Sequence, residues 1–390
     1  MHQVRDQHDL QSTAASALRV TLLLAAALVA TGVQAADEWQ PSGDLRFGYV
    51  NSETRSRAGA KDDADSFRAR ARLRLRGDLG GGWQASARAA VLLDTKQQND
   101  EFWIRTYAPG PGGLESGQAT IDEAYVQYRS QHSPWSLRVG RFQAAFAPDD
   151  LMKKSLDQND STNFDITWTD GAWWQWHGSD WNTHVILRHN DRRGPTGGLR
   201  RPLDFADSSA RAGVFLATES KTAIGPLVQR MLTLTWLPSS LRPNGMSDPA
   251  GEDYLAVTAK AAAEWPLGDK GMRFRLGGEI GYAPDTPRRE TMGSGNGEAD
   301  GFSWQTSITL GDIRPDHDVG IVYARVADGW LVSSDFRPND SLLEARWVWR
   351  LDPSWQVDAR VRRREEINLP PAAAGARRDH DFYLRATWRF

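Results

Sequence analysis

Five arginines stand at alternate positions in the stretch SFRARARLRLRGDL, residues 66–79: Arg68, Arg70, Arg72, Arg74 and Arg76. A guanidinium is always charged, and its fork of donors matches a carboxylate or phosphate two bonds at a time. A row of them holds or guides anions, or pairs with the protein's own acids. Other reactive constellations do not occur. Cys is 0, so there is no disulfide, thiolate metal site or thiol nucleophile. Neither Gly-x-Ser-x-Gly nor His-Glu-x-x-His is present. His184 and His189 precede Asp191 and read most simply as polar lumen or rim residues. GSGNGEADG (293–301) has the composition of a calcium turn but occurs once, where a calcium β-roll needs repeats. We expect no catalytic residue, no metal site and no cofactor.

The spacing fixes the element that carries the arginines. On a helix, charges two apart would spread around the whole circumference. On a strand they share one face, and Phe67, Ala69, Ala71, Leu73 and Leu75 take the other. The same alternation recurs with Leu45, Phe47 and Tyr49, with Ala85, Ala87, Ala89 and Val91, with Leu276, Ile280 and Tyr282, and with Leu343, Ala345, Trp347 and Trp349. About sixteen such segments can be placed, with eighteen as the upper alternative. Most approach the roughly 9–11 residues that a tilted membrane-crossing strand needs. Soluble sheets use roughly 5–6.

Composition agrees: 40% of residues are hydrophobic and 25% charged, with a net charge of −3. That is too polar for a bundle of membrane helices and too apolar for a disordered chain. Near the start, Arg19 precedes an apolar run from Val20 to Val33 and then Gln-Ala-Ala, the pattern of a secretory signal ending near residue 35. Residues 1–35 are therefore expected to be a signal peptide and 36–390 one barrel domain.

The connections alternate in length. Short ones fall near 80–81, 131–134, 179–180, 267–271 and 352–354; long polar ones include 54–65, 96–118, 147–170, 191–209, 284–299 and 368–379. Short turns on one rim and long loops on the other describe an up-and-down transmembrane β-barrel of the bacterial outer membrane. Trp39, Trp83, Trp135, Trp265, Trp330, Trp355 and Trp388 are expected to form its aromatic girdles.

The last strand, HDFYLRATWRF, ends its alternation on Phe390. It resembles the signal read by the barrel-assembly machinery. IDEAYVQYR (121–129) followed by LRVGRFQAAFAP (137–148) is similar to a strand pair of Gram-negative porins that leads into a long third loop. That resemblance implies a channel, with 147–170 as an inward-folded constriction loop carrying Asp149, Asp150, Lys153, Lys154, Asp157, Asp160 and Asp165. The arginine strand and the one after it are also similar to alginate-export channels, from which the chain departs at Phe142 and in its strand count.

Energetics decide which way the arginines point. An Arg on the lipid face near mid-membrane costs roughly 2–4 kcal/mol. Three of them would rival the roughly 5–15 kcal/mol net stability of a domain. The guanidiniums must face the lumen. Closure of the sheet makes the first and last strands neighbours. Arg46, Arg346, Arg350, Arg360, Arg362, Arg364, Arg385 and Arg389 then join Arg68–Arg76 in one pore-lining wall. Two readings stand side by side: the arginines pair with acids of loop 147–170, or they form an anion path.

The expected function is passive diffusion of small hydrophilic, preferably anionic, solutes through an outer-membrane porin. The alternatives are secretion of an anionic polysaccharide such as alginate, and a structural or enzymatic barrel. Expected partners are membrane lipid, lipopolysaccharide at the basic loop patches LRRPLDF and ARRD, the assembly machinery, and two further copies in a homotrimer packed on the alanine-rich outer face. No nucleic-acid partner is expected.

Overall fold

A computed structural model describes residues 39–95, 102–103, 118–160, 166–190, 211–241, 252–268, 271–286, 288–289, 296–370 and 373–390. The expected signal peptide and Asp165 lie outside these residues. Sixteen strands form one closed antiparallel barrel: β1 Trp39–Arg55, β2 Lys61–Gly80, β3 Trp83–Asp94, β4 Gln118–Arg129, β5 Trp135–Phe142, β6 Thr169–His177, β7 Trp181–Asn190 and β8 Arg211–Ser220. The second half continues with β9 Leu227–Leu241, β10 Glu252–Leu267, β11 Met272–Asp285, β12 Phe302–Arg314, β13 His317–Val326, β14 Asp340–Arg350, β15 Trp355–Glu366 and β16 Arg378–Arg389. Phe102–Trp103 adds a two-residue parallel bridge to β4. Among the described residues no helix is long and apolar enough to cross a membrane.

Closure comes from β1 pairing with β16, from Asp44 opposite Arg389 to Arg55 opposite Arg378. Phe390 seals the seam: Gly43 N donates to Phe390 O at 2.8 Å, and Phe390 N donates back to Gly43 O at 3.1 Å. Position 43 must be Gly here, because a Cβ would lie 2.5 Å from the Phe390 ring.

Alternation sets the two faces. Phe47, Phe67, Leu75, Ile280, Phe302, Ile321, Leu343 and Val361 are exposed on the outside, where hydrocarbon replaces water. Ring pairs mark the short-turn rim, with Trp83 5.0 Å from Tyr128 and Trp355 6.0 Å from Trp388. Trp330 is no girdle residue. It is fully buried inside the barrel, in the β13–β14 connection, with Leu331, Val332 and Phe336. Its position beside a strand end is that of a girdle residue, but its sequence neighbours are apolar too and carry it inside.

The connection 54–65 is also not a loop. The β1–β2 ladder runs on to Arg55 opposite Lys61, leaving a turn at 56–60. Water-facing polar side chains suffice beyond the membrane, so the hairpin extends without an apolar face.

Candidate functional site: an arginine wall facing two inward loops

The predicted arginines share the inward face of β14, β15, β16, β1 and β2. Their guanidiniums are met mostly by acids of the wall itself. Asp44 takes Arg70 at 2.8 Å and Arg46 at 3.4 Å. Asp358 takes Arg385 at 2.8 Å, and Asp381 takes Arg360 at 2.6 Å and Arg362 at 2.5 Å. Glu344 takes Arg346 at 2.8 Å. Arg68 pairs with Asp94 at 2.7 Å, and Arg350 with Asp318 at 2.5 Å. Arg76 donates to Gln84, Arg389 to Gln356 at 3.3 Å, and Arg364 to the Asp335 carbonyl at 3.2 Å. Among the described residues none of these last three has a carboxylate partner.

The centre of the ladder depends on a bulge that alternation does not reveal. The β3–β4 register slips so that Arg88 opposes Glu123 while Ala89 opposes Ile121. The extra residue, Asp122, turns inward beside Glu123 instead of toward lipid. Both are buried. Asp122 binds Arg72 at 2.9 Å and Arg88 at 2.8 Å; Glu123 binds Arg74 at 2.8 Å and Arg88 at 3.2 Å. Arg88 was legible from the alternation of its strand. The consecutive acids were the only sequence signal of the bulge.

The connection after β5 folds into the lumen, but its acids do not meet the arginine wall. They are tied to the opposite wall. Asp157 binds Lys260 of β10 at 2.5 Å and Thr258 at 3.0 Å. Asp150 accepts from Ser307 of β12, and Asp149 pairs with Arg275 of β11 at 3.1 Å. Asp160 accepts from Thr169 at 2.7 Å and Gln158 at 2.9 Å within the loop's own base. The reading in which these carboxylates pair with the ladder is therefore corrected for Asp149, Asp150 and Asp157. The reason is apolar: Phe146, Met152 and Leu156 pack on Phe215, Met231, Leu237 and Tyr254, which face inward from β8, β9 and β10. That burial draws the loop to the side of the barrel opposite the arginine ladder.

Lys154 alone reaches the ladder's acids, 3.2 Å from Glu344. Burial pulls its ammonium below the ordinary lysine range, partly offset by that carboxylate. Burial alone would raise Asp157, yet Lys260 holds it below the usual carboxylate range.

Between loop and wall lies a cavity of about 770 Å³. Ala145, Pro148, Asp149 and Lys153 form its loop side; Arg46, Arg346 and Arg385 form its wall side. Arg273, Arg275, Arg350 and Arg389 also line it. In all it is lined by nine Lys and Arg side chains and seven Asp and Glu side chains. Among the described residues there is no group of acids and histidines fit for a metal. The Trp-rich stretch 168–181 divides by alternation. Trp173 faces inward over Arg138 at 5.0 Å, whereas Trp176 and Trp181 are exposed on the outside.

A family model described as Gram-negative porin matches residues 21–390. Solved structures share the fold at low identity. Pseudomonas putida OprB, in a high-pH structure, aligns with a TM-score of 0.59 and 10% identity over 90% of this chain and 94% of its own. Pseudomonas aeruginosa OprD aligns with a TM-score of 0.51 and 11% identity over 90% and 95%. No protein of curated function matches the sequence.

Proposed function

The chain belongs to the Gram-negative porins, channels of the outer membrane that pass small solutes by diffusion and catalyse nothing, and from that premise we propose that its lumen favours anions. The observation that carries this reading is the composition of the cavity between loop and wall, nine cationic side chains against seven carboxylates. In a low-dielectric wall an excess of fixed positive charge concentrates anions and repels cations. Arg389, one of the nine, has no carboxylate partner among the described residues, and Arg76 and Arg364 add two further such guanidiniums. These bind carboxylate or phosphate groups in passing.

Small solutes fit this reading better than a polysaccharide. Two buried loops occupy the lumen, and a polymer needs a wide continuous path. In the same reading residues 1–35 direct export, Phe390 is the assembly signal, residues 147–170 narrow the pore, basic loop patches meet lipopolysaccharide phosphates, and Ala87 and Ala89 on the outer face meet another copy in a trimer.

Reversal potentials across a planar bilayer with a salt gradient test the selectivity. The expected sign is that of anion preference, weakening as Lys153→Glu places a carboxylate in the cavity. Cation preference in the unmodified channel overturns the proposal.

A further inference from the structure

We infer that the pore is narrowed by two loops acting as one clamp, residues 143–160 and residues 327–339, and that Asp335 is the residue that positions the first loop on the second. The proposal rests on the reading of the first loop as the narrowing element and assigns its placement to a second segment.

The contacts between the loops are buried and directional. Asp335 accepts from Ser155 N at 2.9 Å and from Asn159 Nδ2 at 2.6 Å. Ser333 Oγ donates to the Ser155 carbonyl at 2.8 Å, and Trp330 Nε1 to the Leu156 carbonyl at 2.7 Å. Each of these groups would otherwise be a desolvated polar atom, so partial separation of the loops leaves several unsatisfied at once. The pairing is therefore cooperative.

The second loop is itself fixed to the barrel. Tyr254 Oη donates to the Gly329 carbonyl at 2.9 Å and accepts from Leu331 N at 2.9 Å. The Asp335 carbonyl accepts from Arg364 of the arginine wall. Asp335 thus joins three parts: its carboxylate holds the first loop, its carbonyl meets the wall, and it lines the cavity between them. Holding Ser155 acts together with the bond from Gln305 to the Lys154 carbonyl, 2.7 Å, to keep Lys154 beside Glu344. Asp335 in this way contributes to both clamp geometry and pore charge.

Asp335→Ala tests the proposal in planar bilayers, with assembly checked by the gel shift between folded and heated barrel. Unitary conductance should rise at least about twofold and open-channel noise should increase, because a freed loop vacates the lumen. Reversal potential should shift as Lys154 leaves Glu344. Asp335→Asn, which keeps one acceptor oxygen in the same shape, should hold conductance and noise closer to wild type than Asp335→Ala does. A folded Asp335→Ala channel with wild-type conductance, noise and selectivity overturns the clamp. If Lys153→Glu also leaves the current unchanged, the failure is instead that of the narrowing loop itself.

Discussion

Asp122→Asn removes the carboxylate that holds Arg72 and Arg88 and barely changes shape. Asp122 is fully buried; the Arg72 and Arg88 side chains are 3% and 7% exposed. Arg88 reaches both of its oxygens, at 2.8 and 2.9 Å. At an effective dielectric near 20, opposite charges about 4 Å apart attract by about 4 kcal/mol. Two such attractions are lost, while Arg88 keeps Glu123 at 3.2 Å. Removing one partner of a buried pair typically costs about 3–5 kcal/mol, because the other charge stays desolvated. The amide oxygen still accepts one bond, so about 3 kcal/mol is expected. Urea titration of the barrel in lipid vesicles, followed by tryptophan fluorescence, measures it. The double variant Asp122→Asn with Arg72→Met should recover part of the loss, since one stranded cation is gone. A cost below about 1 kcal/mol, the range of exposed pairs, would refute the reasoning: lumen water would then be solvating these guanidiniums.

Arg74→Cys, at a side chain 34% exposed on the inner face, should react with a water-soluble thiol reagent, whereas Leu75→Cys, 42% exposed on the outer face, should react only with a lipid-soluble one; the reverse pattern, read by mass shift, would overturn the register. Lys260→Met should leave the Asp157 and Glu279 carboxylates buried without the ammonium that now lies 2.5 and 2.9 Å away. A destabilisation of about 3–5 kcal/mol with larger, noisier single-channel currents is expected, and a quiet wild-type current in the folded variant would contradict it.

The barrel was legible because one period governs it. None of the lipid-facing residues named from alternation is buried, and Phe47, Phe67, Leu276 and Leu343 among them are exposed on the outside. The site was legible only as far as the same period reaches. Alternation places Arg68–Arg76 and Arg346–Arg350 inward, but it cannot place Asp122, whose inward turn depends on a one-residue slip. Loops have no period. The inward fold of 327–339 is signalled instead by composition, since Trp330, Leu331, Val332 and Phe336 are poor residues for a water-facing connection. Charge complementarity alone points the loop acids at the arginine wall. The apolar side chains interleaved with those acids decide which wall the loop approaches.

This division explains why an arginine ladder so dense can exist inside one barrel. Apolar residues on the inner faces of β8–β10 give both loops a place to pack. The loop acids go with them and spend their charge on Lys260, Ser307 and Arg275. The ladder is left to acids of the barrel strands, its own and the neighbouring β3, β4 and β13, and among the described residues these are fewer than its guanidiniums. At its centre each acid serves two cations, as Asp44, Asp122, Glu123 and Asp381 do. A shared carboxylate holds both arginines in place and neutralises only one. In the proposed reading, rigidity and residual positive charge arise from the same arrangement. The row Arg68–Arg76 then serves as structural ladder and anion path at once, because the first role uses the bonds and the second uses the charge left over.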